Sequence, residues 1–313
     1  MAKVNNKGLN KAKANKKDEF YTRLTDIENE LSNYTDKFKD KIVYCNCDDP
    51  YRSNFVKYFA LNFKFLGLKQ LIATCYKEGE QSFKWIYNGG QIEDQNIPDL
   101  NKAIVINLKG NGDFRSEECL DVLKECDIVV TNPPFSLFRE FVDTIFKYDK
   151  QFLIIGNQLA IQYKEIFPLI KETKMWLGVN TNKSLFFEVP NNYYLSESSK
   201  EQEETKLVKV PAISWFTNLD HNKRNQEIIL FKKYNEEEYP KYDNCDAIHV
   251  KTVKSIPCDY TGLMGVPITI MNTFNPKQFE IVKFRKGDDG RELLLNGKYP
   301  YTRILVKNKK PIV

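Results

Sequence analysis

The chain predicts an α/β fold, a mostly parallel sheet covered by helices on both faces, with a C-terminal α+β region after it. Two observations carry that reading. Short apolar runs that read as buried strands alternate with segments of helical spacing as far as about Thr173, the pattern of strand–helix–strand units. Beyond that point the pattern changes to short strand-like stretches, Ser184–Val189, Ala212–Thr217 and Glu227–Lys232, with aromatic residues and turns between them. There is no internal repeat.

Taken in order, residues 18–40 place Phe20, Leu24, Ile27 and Leu31 at helical spacing, so a helix is expected from near Thr22 or Thr25. Lys41–Asn46 reads as a short buried strand running into the turn cluster Cys47-Asp48-Asp49-Pro50. Ser53–Gly67 is an amphipathic helix with Phe55, Phe59, Phe63 and Leu66 on one side and Gly67 closing it. Gln70–Thr74 is the next strand. Lys77–Pro98 is polar and loop-like, with a hairpin turn at Asn88-Gly89-Gly90. Ala103–Leu108 is a strand, Gly110–Asp113 a turn, and about Glu117–Glu125 a helix. Asp127–Thr131 is a strongly apolar strand that runs into Asn132-Pro133-Pro134-Phe135. A helix over Phe138–Tyr148, a strand at Phe152–Gly156 and a helix over Gln162–Thr173 follow. In open parallel sheets ligands sit beyond the carboxyl ends of the strands. Three polar turns, Asn46–Pro50, Gly110–Phe114 and Asn132–Phe135, are therefore expected on one rim.

Composition narrows the class. The 313 residues are 42% hydrophobic and 28% charged, with a mean hydropathy of −0.52. These values exclude disordered, collagen-like and disulfide-scaffold chains. No apolar run approaches the roughly 18 residues a membrane helix needs, and the Lys-rich start lacks the apolar stretch of a signal peptide. Seven cysteines with no repeated Cys-x-x-Cys read as reduced thiols in a cytoplasmic protein. His221 and His249, the two histidines, form no recognisable ligand set with any cysteine, and no metal site is expected.

The net charge of +5 is unevenly placed. Residues 1–17 hold Lys3, Lys7, Lys11, Lys13, Lys16 and Lys17 and no acid. Removing those six leaves 41 basic and 42 acidic residues, a charge of −1. Residues 1–17 are therefore expected to be a disordered basic arm, either a solubilising leader or a polyanion-binding segment. A second basic excess lies in Ile281–Val313, with nine basic against three acidic residues, among them Lys283, Arg285 and Lys286. Two separated basic ends suit nucleic acid.

The stretch Asp127–Phe135 carries the chemistry. Two consecutive prolines stiffen the backbone and remove two donors, and the residue before a proline is pushed to an extended conformation. Asn132 Oδ1 and the Pro133 carbonyl are then held at the rim, where they can accept hydrogen bonds from a flat amino group. Phe135 can stack on the ring that bears it. The competing reading is a plain strand-to-helix turn.

Asn-Pro-Pro-Phe in this position resembles the motif of amino-group methyltransferases that use S-adenosylmethionine. Longer segments resemble the EcoRI-type adenine-specific DNA methyltransferases: Lys17–Thr22, Asp26–Leu31, Val43–Pro50, Gly112–Ser116, Ile128–Glu140, Trp176–Val179, Tyr239–Asn244, Met264–Thr269 and Lys283–Gly287. The resemblance covers almost the whole chain. It implies a Rossmann-like methyltransferase domain at residues 18–175, and at 176–313 a target-recognition and DNA-binding region that partly completes that domain. It implies transfer of a methyl group from S-adenosylmethionine to N6 of a flipped-out adenine in double-stranded DNA, as the protective half of a restriction–modification system. The enzyme would be a monomer, with a cognate restriction endonuclease acting on the same site without a stable complex; GAATTC is the suggested site.

Roles follow where residues match. Phe20, Tyr21 and Thr22 would contact the methionine part of the cofactor. Asn46, Cys47, Asp48, Asp49 and Pro50 would form the first-strand loop, which other methyltransferases make glycine-rich. Asp113 would accept from the cofactor adenine and Phe114 would pack on its face. Asn132, Pro133, Pro134 and Phe135 would grip the target adenine, with Asn132 also at the cofactor. The second strand ends Thr74-Cys75-Tyr76 without the usual ribose-binding acid, leaving Glu78, Glu80 or no acid. Lysines of the arm with Lys283, Arg285 and Lys286 would meet DNA. Methyltransferases acting on RNA adenine or on protein glutamine carry related motifs and remain the alternative.

Overall fold

The computed structural model describes residues 21–89, 100–181, 185–188, 207–210, 212–284 and 292–312, with the backbone alone at 21, 101, 185–188 and 207–210. It forms two compact units. One comprises Met1–Gln158 and Asn180–Leu219, the other Leu159–Val179 and Asp220–Val313. The division alternates along the chain, and residue 175 falls inside the first excursion into the second unit.

In the first unit the strands are β1 (Tyr21–Thr22), β2 (Ile42–Cys45), β3 (Gln70–Thr74), β4 (Phe83–Tyr87), β5 (Ile104–Asn107), β6 (Ile128–Thr131), β7 (Gln151–Asn157), β8 (Leu185–Glu188), β9 (Leu207–Val210) and β10 (Ile213–Thr217). The main sheet runs in the order β5-β4-β3-β2-β6-β7-β10. Strands β3, β2, β6 and β7 are mutually parallel, while β4, β5 and β10 each join by an antiparallel pairing. The sheet is thus mixed, with a parallel centre. Because β4 is antiparallel to both neighbours, β5 points the same way as β3. The turn after β5 therefore opens at the same end as the turns after β2 and β6. A separate sheet pairs β1 with β8 and β8 with β9, all antiparallel.

Helices follow the strands as their sequences dictate. They are α1 (Leu24–Leu31), α2 (Asn54–Leu61), α3 (Phe63–Leu66), α4 (Glu117–Glu125) and α5 (Phe138–Lys147). Ser53 caps α2, its hydroxyl accepting from the Phe55 and Val56 N–H groups, and Ser116 caps α4, with Glu117 and Glu118 in the first turn. Helix α5 buries Phe138, Phe141, Val142 and Ile145, the i, i+3, i+4, i+7 stripe of a half-buried helix. Gly156 in β7 makes room for Phe138: a Cβ there would stand 2.4 Å from the ring. The core gathers Tyr44, Phe55, Phe59, Trp85, Phe141, Phe152 and Trp215, all at or below 2% exposed.

Among the expectations for these segments, one is met and two are corrected. Lys77–Pro98 is not a loop throughout: β4 lies within it and inserts between β3 and β5, with Trp85 fully buried. Flanking lysine, glutamate and glutamine residues hid it. The helix expected from near Thr22 or Thr25 runs from Leu24 to Leu31, and a single 3-10 turn at Thr35–Lys37 follows. Gln162–Thr173 forms only α6 (Phe167–Lys171) after a 3-10 turn at Gln158–Gln162.

The second unit holds a five-stranded sheet, β11 (Lys241–Tyr242), β12 (Cys245–His249), β13 (Met264–Pro267), β14 (Phe279–Lys283) and β15 (Arg303–Asn308), ordered β11-β12-β13-β15-β14. Only β12 and β13 pair in parallel. Glu227–Lys232 forms no strand; it is an extended segment with one bridge from Lys232 to Pro257. All seven cysteines are free. Among the described residues no helix is long and apolar enough to cross a membrane.

Candidate active site

The three rim turns of the first unit are stitched together. The turn after β2 begins with Asn46, which is 3% exposed. The Cys47 N–H donates to Thr131 Oγ1 at 3.2 Å. The Asp48 N–H donates to the Thr74 carbonyl at 3.1 Å, so this turn is tied to the end of β3. The Asp48 carboxylate is buried and accepts from Ser53 Oγ at 2.7 Å and from Thr131 Oγ1. The Asn132 N–H also donates to it. Burial outweighs these three donors and lifts the Asp48 carboxyl from its ordinary 3.8 to about 6. Asp49 faces outward, capping the Tyr51 N–H at 3.0 Å and lying 4.0 Å from Lys77 Nζ. Burial pushes the Cys47 thiol up, so it is no thiolate nucleophile at neutral pH.

The turn after β5 is held against the end of β3. The Lys77 N–H donates to the Asn111 carbonyl at 2.9 Å. Gly112 has φ +77, and a Cβ there would sit 2.1 Å from the Cys75 carbonyl oxygen and 2.2 Å from Ser82 Oγ. Only glycine permits both that dihedral and that approach. Next to it, Asp113 is gripped by Arg115 through Nε at 2.9 Å and Nη2 at 2.7 Å, while Arg115 Nη1 reaches Glu140 at 2.8 Å. The guanidinium holds the Asp113 carboxyl below its ordinary value. Phe114 is buried, its ring 5.1 Å from that of Phe141.

Strand β6 delivers Thr131, fully buried, directly to the Asn-Pro-Pro-Phe turn. Pro133 is buried, whereas Asn132, Pro134 and Phe135 are half-buried. Asn132 Oδ1 itself lies below the surface, so offering it to a base requires the amide to face the rim. A 3-10 turn at Phe135–Leu137 leads into α5. The core ring of this segment is Phe138, 2% exposed and 5.2 Å from the Phe216 ring. Phe135, by contrast, is half-buried.

On the other side of the turn after β2, β1 brings Thr22 opposite Phe187 of β8. Asn54 Nδ2 donates to the Thr22 carbonyl at 2.8 Å. Thr22 Oγ1 and Asn46 Oδ1 are both buried with no hydrogen-bond partner among the described residues. Two buried oxygens with unused acceptor capacity suit a ligand bearing amino groups.

Phe20, the six arm lysines, Arg285 and Lys286 lie outside the described residues. Lys283 ends β14 in the second unit. His221 and His249 serve the second unit's interior: His221 Nε2–H donates to the Leu177 carbonyl at 3.0 Å while Nδ1 accepts from the Arg224 N–H at 3.3 Å, and His249 Nδ1 meets Tyr242 Oη at 2.9 Å. Sequence reasoning missed Ser53, Asn54, Thr131 and Arg115. The first could have been found as a helix cap, and the third as a hydroxyl in an otherwise aliphatic strand.

Comparison with known proteins gives the family of the chain. The family model described as adenine-specific methyltransferase EcoRI matches residues 8–309. The Type II methyltransferase M.EcoRI of Escherichia coli is 53% identical, with 97% of each chain covered. The Type II methyltransferases M.MgeORF184P of Mycoplasma genitalium and M.MpnI of Mycoplasma pneumoniae are 40% and 38% identical, covering 96% and 97% of this chain and 99% of their own lengths. No solved structure matches. With the rim turns assembled as above and the match running nearly end to end, the chain belongs to the EcoRI family of adenine-specific methyltransferases and is a Type II DNA methyltransferase of the restriction–modification kind.

Proposed function

We propose that the rim of the first unit transfers a methyl group from S-adenosylmethionine to N6 of an adenine flipped out of double-stranded DNA. One observation supports this above the rest: the Asn-Pro-Pro-Phe turn and the turn after β2 are hydrogen-bonded to each other through Asp48 and Thr131. A target-base grip and a cofactor loop so joined can hold two reactants in line.

S-adenosylmethionine, when bound, supplies a methyl group on a sulfonium, already a good leaving group. Thr22 Oγ1 and Asn46 Oδ1, buried and unspent, would accept from its ammonium group, and Asp113, oriented by Arg115, from its adenine amine. Adenine N6 is a poor nucleophile because its lone pair is delocalised into the ring. Hydrogen bonds from its two amino hydrogens to Asn132 Oδ1 and the Pro133 carbonyl would localise that pair and aim it. Positioning of this kind supplies several kcal/mol. A duplex base cannot reach these groups, so it must be extruded. Phe135, at the rim, would stack on it, which returns about 1–3 kcal/mol. Lys283, Arg285, Lys286 and the arm lysines would neutralise backbone phosphates.

Asn132→Ala tests the assignment. Methyl transfer to a duplex substrate should fall at least about a hundredfold, ~2.7 kcal/mol, while the Kd for S-adenosylmethionine shifts less than about threefold. A variant that turns over within about tenfold of wild type removes Asn132 from the reaction.

A further inference from the structure

We propose that Asp48 is a positioning residue for the target-base turn and not a contact of the cofactor. This rests on the reading of Asn132 given above and deepens it.

The geometry commits the carboxylate internally. Oδ1 accepts from Ser53 Oγ at 2.7 Å, Oδ2 accepts from Thr131 Oγ1, and the Asn132 N–H also donates to the group. Its partners are committed in turn. Ser53 Oγ accepts from the Phe55 and Val56 N–H groups at the start of α2, and Thr131 Oγ1 accepts from the Cys47 N–H. One buried carboxylate therefore joins the start of α2, the turn after β2 and the last residue of β6. Among the described residues no lysine or arginine pairs with Asp48; the nearby Lys77 pairs with Asp49. An ionised carboxylate is an acceptor only, so it fixes both hydroxyl protons toward itself and leaves each hydroxyl oxygen to receive backbone N–H groups.

Thr131 bears the same message. Its neighbours Ile128, Val129 and Val130 are aliphatic, all four are fully buried, and valine would fill the position at equal volume. A hydroxyl there has a use only if something must be held. What it holds is the residue next to Asn132, whose other side is stiffened by Pro133. The direction of the Asn132 side chain is thus set from both sides, by the Asp48 link before it and the proline after it. A small displacement of a group that must be in line is costly in rate.

The test compares Asp48→Asn, Thr131→Val and Thr131→Ser, with Asn132→Ala beside them. The Asn substitution keeps the shape and turns one acceptor into a donor facing a hydroxyl; the Val substitution removes the hydroxyl without a cavity, so it serves if Asp48→Asn does not fold. We expect kcat on duplex DNA to fall about 10- to 100-fold in Asp48→Asn and Thr131→Val, ~1.4–2.7 kcal/mol. The Kd for S-adenosylmethionine and the KM for DNA should stay within about threefold. Thr131→Ser should keep kcat within about threefold, and the double variant Asp48→Asn/Thr131→Val should be no worse than the poorer single one, because both cut one link. A weakened cofactor Kd with kcat intact at saturation would make Asp48 a cofactor contact and overturn the proposal; so would unchanged kcat in both variants, or fully additive losses. If Asn132→Ala is itself active, the reading of the turn fails; if Asn132→Ala is dead while Asp48→Asn is as fast as wild type, only the positioning role fails.

Discussion

Buried polar groups behave differently in the two units. At the rim of the first, Thr22 Oγ1 and Asn46 Oδ1 are buried with hydrogen-bonding capacity unused among the described residues, and the Asp48 carboxyl is lifted to about 6. Inside the second, His249 meets Tyr242 Oη, which also donates to the Gly265 carbonyl at 3.2 Å, and His221 spends both ring nitrogens on backbone groups. Burial, and the positive Arg303 beside it, push His249 down to about 4, so it is neutral at physiological pH. Both regions hold buried titratable groups, but the rim of the first leaves two buried acceptor oxygens, Thr22 Oγ1 and Asn46 Oδ1, without a partner among the described residues, whereas the histidine nitrogens named in the second are engaged. Burial or a displaced pKa therefore does not by itself separate a site from a structural network; unspent acceptors grouped at a sheet rim are the more telling sign.

The contrast can be broken first at the backbone. Gly112 and Gly297 share a left-handed φ, +77 and +70, but a Cβ would strike the Cys75 carbonyl at 2.1 Å in the one and meet nothing within 4 Å in the other. Gly297→Ala should cost only the dihedral strain, about 1–2 kcal/mol. Gly112→Ala adds a collision between two backbones and should lose at least about 3 kcal/mol of stability, with methyl transfer falling in the protein that remains folded. Equal melting temperatures for the two variants would show that the turn after β5 yields easily and is not a fixed wall of the site.

A smaller effect sharpens the electrostatics of that turn. Asp113→Ala should weaken the Kd for S-adenosylmethionine about 30-fold, ~2 kcal/mol, leaving kcat at saturation nearly intact. Arg115→Met should weaken it only about threefold, because Arg115 orients the carboxylate without touching the ligand. Isothermal titration of both variants separates the roles. An Arg115 loss as large as that of Asp113 would make the guanidinium a contact in its own right.

Much of this was legible in the chain, for identifiable reasons. Strands β2, β3, β6 and β7 are apolar on both sides, so they announce themselves, and the turn after β2 is marked by Asp48, Asp49 and Pro50 and that after β6 by Asn132, Pro133 and Pro134. Gly112 stood out beside Asp113. What stayed hidden was long-range. Strand β4 has Lys84 between Phe83 and Trp85, and its neighbours on both sides are supplied from β3 and β5; no local pattern reveals that pairing. Asp48 read as a rim group because it lies in the turn at the carboxyl end of a strand of a parallel sheet. Its true surroundings come from Thr131, 83 positions along the chain.

The smallest predicted effect sets the two regions against each other in pH. A carboxyl whose pKa is higher in the folded than in the unfolded state favours folding when protonated. Its contribution is full below the unfolded value of 3.8 and is lost as pH rises through about 6. A histidine whose pKa is depressed in the fold does the reverse: its contribution is full above 6.5 and is lost as pH falls through about 4. Asp48 and His249 therefore pull stability in opposite directions across the same window. Around Asp48 the relevant groups are Asp49, which raises its pKa further, the Ser53 and Thr131 hydroxyls and the Asn132 N–H, which lower it, and the un-ionised thiols of Cys45 and Cys47; around His249 they are Tyr242, Arg303 and Lys251. Taking 3.8 and about 6 for Asp48, wild type should lose roughly 1 kcal/mol between pH 5 and pH 7 that Asp48→Asn does not lose. His249→Asn should instead remove a loss that wild type suffers on going from pH 6.5 toward pH 5. Urea melts of the three proteins across this range measure both slopes. If the Asp48→Asn curve runs parallel to wild type from pH 5 to pH 7, the carboxyl titrates with an ordinary pKa, and its three donors, Ser53, Thr131 and the Asn132 N–H, fully offset its burial.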